Sequence, residues 1–271
     1  MYEAYWKLSG KPFPQRSETS RFLPTQTHQA ALLRLKYGLD TLQGPALVLG
    51  PSGTGKSTLV RYFAEKNAGY RPFVHMVFPS LSADEMLRSI AADLSDNGAA
   101  ESVGTDGVLR TIQAALRHHH AEGRQPLLCI DDAHFLSDEI LQKVVLPLTG
   151  LSESEPGCSL AMILAGQPIL SSQIRRMGSL SERIAVTTAL QGFSAQETAH
   201  YVQSCLQAVH APGEIFTSSA LQRLFEVTGG NPRRINRLSD MALLVGYAEH
   251  LREITTSQID AVSAELMPAA A

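Results

Sequence analysis

Residues 46–57 read Ala46-Leu47-Val48-Leu49-Gly50-Pro51-Ser52-Gly53-Thr54-Gly55-Lys56-Ser57. The last eight form a complete G-x-x-x-x-G-K-[ST] run, and the four before them are an apolar segment of strand length. Thr58 follows, and Leu59, Val60 and Phe63 then share one face of a helical pattern that runs to Lys66. Strand, loop and helix in that order suit phosphate binding. The glycines let successive backbone N–H groups turn inward around an anion, and the helix N-terminus adds its dipole. On this reading Gly50, Pro51, Ser52, Gly53, Thr54, Gly55, Lys56, Ser57 and Thr58 cradle a nucleoside triphosphate. Lys56 reaches the β- and γ-phosphates and the Ser57 hydroxyl ligates Mg²⁺. ATP and Mg²⁺ are therefore the expected cofactors. A glycine-rich turn before a buried helix would need neither Lys nor Ser in register.

The 271 residues suffice for one α/β domain and a smaller helical one, at about 150 residues per domain. A hydrophobic content of 44% supports a sizeable core. The formal charge of -3 argues against wholesale coating of nucleic acid and leaves a local basic face open. Cys129, Cys158 and Cys205 are scattered and lack metal spacing, which fits a reducing compartment. The opening Met1-Tyr2-Glu3-Ala4-Tyr5-Trp6 carries an acid and no basic, apolar lead-in, so no leader is expected. No apolar run approaches the roughly 18 residues of a membrane span. The expectation is a cytoplasmic protein, with peripheral contact at the inner membrane left open.

Pro12, Pro14 and Pro24 make the first 27 residues an extended arm, followed by a helix from His28 to Leu42. After the loop helix, Pro72 to Phe78 alternates as a strand, and Ser82-Ala83-Asp84-Glu85 is a capping box that opens a helix to Leu94. A helix over Gly107 to Ala121 precedes two apolar strands, Pro126 to Ile130 and Leu160 to Ala165. Strands alternating with helices predict a parallel sheet with right-handed crossovers. From Phe193 the strand signal vanishes. A second capping box, Ser194 to Glu197, starts a helix with Val202, Cys205, Leu206 and Val209 on one face; helices over 218–227, 232–247 and around Ile259, Val262 and Leu266 follow. The predicted organisation is an arm and helix over 1–45, an α/β nucleotide-binding domain over 46–192, a helical lid over 193–267 and a tail over 268–271.

Asp131-Asp132 closes the strand ending at Ile130. A carboxylate at a strand end opposite Ser57 is where a Mg²⁺ ligand belongs, which selects Asp131, and Asp132 is placed to polarise the attacking water. A solvated acid pair is the plainer alternative. Glu is more usual than Asp at the second position, so slow hydrolysis is compatible with normal binding. His134 reads as the start of the turn into a helix at Ser137, with a chemical role the lesser reading. Gln167 ends the next strand, where ligands of parallel sheets collect, and is predicted to orient water or the γ-phosphate. In Gly229-Gly230-Asn231-Pro232-Arg233, Asn231 suits an N-cap and Pro232 the first helical position. Arg233 then opposes its own helix dipole by about 0.3–1 kcal/mol, and a bound phosphate would compensate. Arg175, Arg176 and Arg183 follow the fourth strand. Arg183 is the first choice for a finger acting on a neighbouring subunit, with a plain surface ion pair close behind. His118, His119 and His120 point in different directions on a helix and make no facial metal site. Tyr5, Trp6, Phe13 and Phe22 read as a clamp for the arm more than as a base-stacking platform.

Together these residues resemble the AAA+ superfamily, and within it the ExeA-type ATPases (general secretion pathway component A). The likeness is carried by Met1 to Trp6, Lys11-Pro12-Phe13, Arg21-Phe22-Leu23, Leu35 to Leu39, Ile130 to His134, Gly166-Gln167-Pro168 and Gly230 to Asn236. It implies a P-loop NTPase sheet flanked by helices with a C-terminal helical lid, ATP hydrolysis at Walker A and Walker B motifs, and homo-oligomers, ring or filament, in which an arginine reaches the neighbour's nucleotide. Family members acting in the envelope generally continue into a membrane span and a peptidoglycan-binding domain; the expectation for these 271 residues is the ATPase module alone.

Three functions fit this reading. One is an oligomeric ATPase that drives an unknown protein partner, in secretion or envelope assembly. The second is a DNA-associated regulator of the transposition or replication-initiation type, binding duplex DNA when loaded with ATP. The third is a nucleotide-gated scaffold with negligible turnover.

Overall fold

The computed structural model describes residues 1–13, 19, 22–41, 44–77, 81–95, 104–155 and 157–266. Pro14, Arg21, Leu42, Phe78 and the tail 268–271, named above, lie outside the described residues. The chain divides into two units, one comprising residues 1–25, 53–55 and 191–271 and the other 26–52 and 56–190. The division at Thr25 and Gln26 falls inside the stretch 1–45 that the sequence reading groups together.

The α/β unit begins with α1 (Gln26–Asp40), β1 (Ala46–Leu49), α2 (Lys56–Lys66), β2 (Phe73–Met76), α3 (Ala83–Leu94), α4 (Thr105–Ala121) and β3 (Leu127–Ile130). A 3₁₀ turn (Ala133–Phe135) leads to α5 (Asp138–Ile140), a π turn (Leu141–Val145) and α6 (Leu146–Ser154). Next come β4 (Ala161–Gly166), α7 (Ile169–Arg176), α8 (Gly178–Ser181) and β5 (Val186–Ala189). All five strands are parallel, in the order β2-β3-β4-β1-β5.

The three inner strands, β1, β3 and β4, are buried at every position, which is why they read as unbroken apolar runs. The two edges are partly exposed. Thus β2 alternates, and β5 presents Thr187 and Ala189 to solvent with Thr188 turned inward. The sequence reading finds four of the five strands. It misses β5 because Val186-Thr187-Thr188-Ala189 is short and half polar.

Leu59, Val60 and Phe63 of α2 are buried as their spacing predicts, and Ser82 and Glu85 form a complete capping box on α3. Strand order fixes the geometry of the site. Because β4 lies between β1 and β3, the residues that follow these three strands emerge side by side at one edge of the sheet.

The helical unit contains α9 (Ala195–Gln207), α10 (Ser218–Thr228), α11 (Pro232–Ala248) and α12 (Thr256–Leu266). Its core is separate from that of the sheet and takes in Tyr2, Trp6, Leu8 and Phe13 from the arm. The arm's aromatics therefore belong to these helices. Trp6 Nε1–H donates to the Leu243 carbonyl at 2.9 Å and Tyr5 Oη–H to that of Leu251 at 2.7 Å, while the Tyr2 hydroxyl bonds Asp240. Gly246 makes room for the indole, since a Cβ there would lie 2.8 Å from Trp6 Cζ2.

A second close approach joins the segment before α9 to the loop before α11. The Phe193 N–H donates to the Gly230 carbonyl at 2.8 Å. Gly230 has φ +69°, and a Cβ on it would lie 1.9 Å from the Phe193 oxygen. Asn231 caps α11 as expected, its side chain accepting from the Arg234 N–H, with Pro232 at the first position.

Candidate nucleotide site

The loop predicted to hold phosphate leaves β1 at Gly50, whose N–H donates to the Gly166 carbonyl at the end of β4 (3.1 Å). Gly53 and Gly55 have φ of +83° and +90°, conformations in which a side chain is strained, so both glycines are required by the backbone. Lys56 is buried at the first position of α2. Its Nζ donates to the carbonyls of Gly50 (2.9 Å) and Pro51 (3.0 Å), which puts the ammonium inside the curl of the loop.

Asp131 follows β3 and is only 6% exposed. Its N–H donates to the Met76 carbonyl (2.9 Å), pinning it to the end of β2, and its Oδ1 accepts from the Asp132 N–H (3.0 Å). His75 Nε2 stands 3.5 Å from Oδ2, long for a hydrogen bond but close for a charge. Burial pushes the Asp131 carboxyl up, and the His75 imidazole, the Ser57 hydroxyl and the Asp132 N–H outweigh it, so the group titrates below the usual carboxylate range. The result is a buried anion held low in part by the Ser57 hydroxyl, which makes Ser57 and Asp131 a pair of hard oxygen donors. That donor chemistry fits Mg²⁺, which prefers oxygen ligands and takes only one or two from protein. The sequence reading gives no place to His75, and its position one residue before the end of an edge strand carries no signal.

Asp132 turns the chain. It has φ 47° and ψ 35°, the left-handed region that Asp tolerates better than most residues, and its carboxylate is exposed. The 3₁₀ turn then brings His134 back over the end of β4. Gly166 permits this, because a Cβ there would meet the His134 backbone nitrogen at 3.1 Å and Leu170 Cδ2 at 3.0 Å. Gln167, the next residue, places its Nε2 3.0 Å from His134 Nε2, and Gln173 Nε2 donates to the His134 carbonyl (3.2 Å). Ser137 caps α5, as the expected turn from His134 requires.

The structure thus gathers Lys56 with the loop, Ser57 with Asp131, and Gln167 with His134 and Asp132. Arg183 stands elsewhere in the same unit. Its Nε donates to both Glu153 oxygens on α6 (2.9 and 3.0 Å) and its guanidinium to the Ser179 carbonyl. Arg233 is exposed in the first turn of α11, in the helical unit. His118 faces Glu122 (3.7 Å) while His119 is buried against the Leu94 carbonyl (2.7 Å), so the histidine run does diverge. Among the described residues no helix is long and apolar enough to cross a membrane.

The AAA domain family matches residues 40–174. The chain is similar to general secretion pathway protein A of Aeromonas hydrophila, with 30% identity over 272 residues covering 98% of this chain and 48% of that protein. It therefore spans about half the length of that relative. Among solved structures, the ORC2 protein of Aeropyrum pernix, in ADPNP–ADP complexes, superposes with a TM-score of 0.72 at 13% identity, covering 95% of this chain and 72% of that one. Cdc6p of Pyrobaculum aerophilum gives 0.70 at 15% identity, with 94% and 72% covered. At such identities the likeness speaks for the fold alone.

Proposed function

We propose that this chain is an ExeA-like AAA+ ATPase that binds ATP with Mg²⁺ and hydrolyses it. The observation that carries the proposal is the buried Lys56 ammonium, held inside the loop by the Gly50 and Pro51 carbonyls, together with the buried Asp131 that directly follows strand β3. Ser57 and Asp131, on two segments far apart in sequence, would then be the two protein ligands of a phosphate-bound metal.

In this reading the loop N–H groups and Lys56 hold the phosphates, and Ser57 and Asp131 hold the ion. Mg²⁺, when bound, neutralises charge that develops on the β- and γ-oxygens. Asp132 takes the proton of the attacking water, Gln167 orients that water or the γ-phosphate, and Arg233 senses the γ-phosphate. Arg183 acts on the nucleotide of a neighbouring subunit in a homo-oligomer. Its exposed pair with Glu153 is worth no more than ~0.2–1 kcal/mol, so a phosphate can displace it. The work is done on a protein partner, and the relative's printed name supports a place in secretion. Arg175 and Arg176 sit in the last turn of α7, where cations suit the helix dipole. They therefore need no duplex DNA to explain them.

Titration with a fluorescent ATP analogue and a phosphate-release assay test the proposal. Lys56→Ala is expected to lose both binding and turnover; Asp132→Asn is expected to bind normally and stop hydrolysing. Undiminished turnover in Lys56→Ala would overturn the assignment. ATP-dependent retention of duplex DNA with a steep salt slope would redirect the function to DNA.

A further inference from the structure

His134 is 8% exposed, in the turn directly after Asp131 and Asp132. Its Nε2 meets the Gln167 amide nitrogen at 3.0 Å. An amide nitrogen only donates, so the imidazole Nε2 must accept, and the neutral ring then carries its proton on Nδ1. That Nδ1 is buried without a hydrogen-bond partner and stands 3.9 Å from Asp132 Oδ1, a little under an ångström beyond hydrogen-bonding range.

The two sides of this gap are unequal. The ring is held by Gln167, its backbone carbonyl is held by Gln173, and Phe135 packs against it at 4.1 Å between ring centroids. The Asp132 carboxylate, on the other side, is exposed. A buried donor aimed at an acceptor just out of reach is costly as it stands, and the cost disappears once the carboxylate swings in.

We propose that His134 is a positioning residue that ties Gln167 to Asp132. Its Nε2 fixes the amide of Gln167, and its Nδ1–H captures the Asp132 carboxylate and aims it, so that the two groups acting on the water are set by one ring. The proposal rests on the ATPase reading above. It differs from that reading in giving the two roles a shared support on a third residue.

The test compares His134→Ala, His134→Asn, Gln167→Ala and the His134→Ala/Gln167→Ala pair with the wild type. Steady-state kcat and KM, equilibrium binding of a fluorescent ATP analogue and thermal unfolding are measured for each. Asn keeps an amide near the position of Nδ1 and loses the Gln167 end. The expected result is a fall in kcat on the order of 10–100-fold for His134→Ala, with KM and binding within about twofold, partial recovery in His134→Asn, and a double variant little slower than the slower single one. Wild-type kcat in His134→Ala, or losses that multiply in the double variant, would overturn the proposal. So would loss of nucleotide binding in step with kcat and a lowered melting temperature, since that marks a structural role. If His134→Ala does not fold, His134→Asn decides by the same kcat-against-binding split. Lys56→Ala and Asp132→Asn run alongside: undiminished turnover in Lys56→Ala sinks the ATPase reading, wild-type turnover in Asp132→Asn moves the base elsewhere and overturns the positioning role with it, and loss in both with normal kcat in the His134 variants sinks the positioning role alone.

Discussion

Gly229 and Gly230 are neighbours with similar backbone angles, φ 59° and 69°, yet alanine should affect them very differently. At Gly229, the C-cap of α10, nothing lies within 4 Å of the added Cβ. The cost there is the left-handed conformation itself, about 1–2 kcal/mol. At Gly230 the same conformational cost applies, and the Cβ would sit 1.9 Å from the Phe193 oxygen and 2.7 Å from its nitrogen. Backbone must therefore move by more than an ångström. That movement breaks the Phe193–Gly230 hydrogen bond, worth ~0.5–1.5 kcal/mol, and shifts the buried Phe193 ring. With about 1–3 kcal/mol for the displaced core ring, the sum for Gly230→Ala is about 2.5–6.5 kcal/mol, in the range of severe backbone or core lesions. Urea unfolding of both variants, followed by far-ultraviolet circular dichroism, measures the difference. With m of about 1–3 kcal/mol per molar urea, a gap of ~2 kcal/mol separates the midpoints by roughly 1 M. Equal midpoints, or a larger loss at Gly229, would refute the reasoning that close backbone approach fixes this loop.

Two further expectations follow from the site. Asp131 titrates below its unfolded value, so it stabilises the fold above the unfolded carboxylate pKa of about 3.9 and loses that contribution as pH falls through the lower folded value. The stability lost in Asp131→Asn, read from urea midpoints, should therefore be largest near neutrality and shrink below about pH 4; a loss that grows on acidification would contradict the sign. For Arg183, mixing Arg183→Ala with Asp132→Asn subunits should restore turnover to about a quarter of wild type if mixing is random in a closed ring. No recovery in mixtures that demonstrably co-assemble would place the finger elsewhere.

What could be read from the residues alone follows from how local each signal is. The loop from Gly50 to Ser57, the capping boxes at Ser82 and Ser194 and the cap at Asn231 are each written within four to eight consecutive residues, and all take the form expected of them. The inner strands were legible because burial on both faces leaves only apolar residues. The edge strand β5 escaped notice because one exposed face admits Thr187. Elsewhere the missing information was distance across the sheet. Nothing near His75 announces Asp131, and nothing near His134 announces Gln167; only the strand order brings them together. The π turn before α6 was hidden for a different reason. Pro147 cannot donate a backbone hydrogen bond, and the helix loosens over Leu141–Val145 just ahead of it.

The sharing of one core by the two ends of the chain also has a consequence for synthesis. Tyr2, Trp6 and Phe13 are synthesised ahead of the sheet, but the Leu243 carbonyl and the Gly246 recess that receive Trp6 are made more than two hundred residues later. At about 5–20 residues per second, the aromatic arm waits roughly 10–50 seconds for its partners while the sheet is being completed. During that interval its apolar rings are available to chaperones or to another nascent copy. The aromatic arm thus finds its place only after the sheet is made, and the rate at which the helices of its core emerge sets how long its rings stay uncovered.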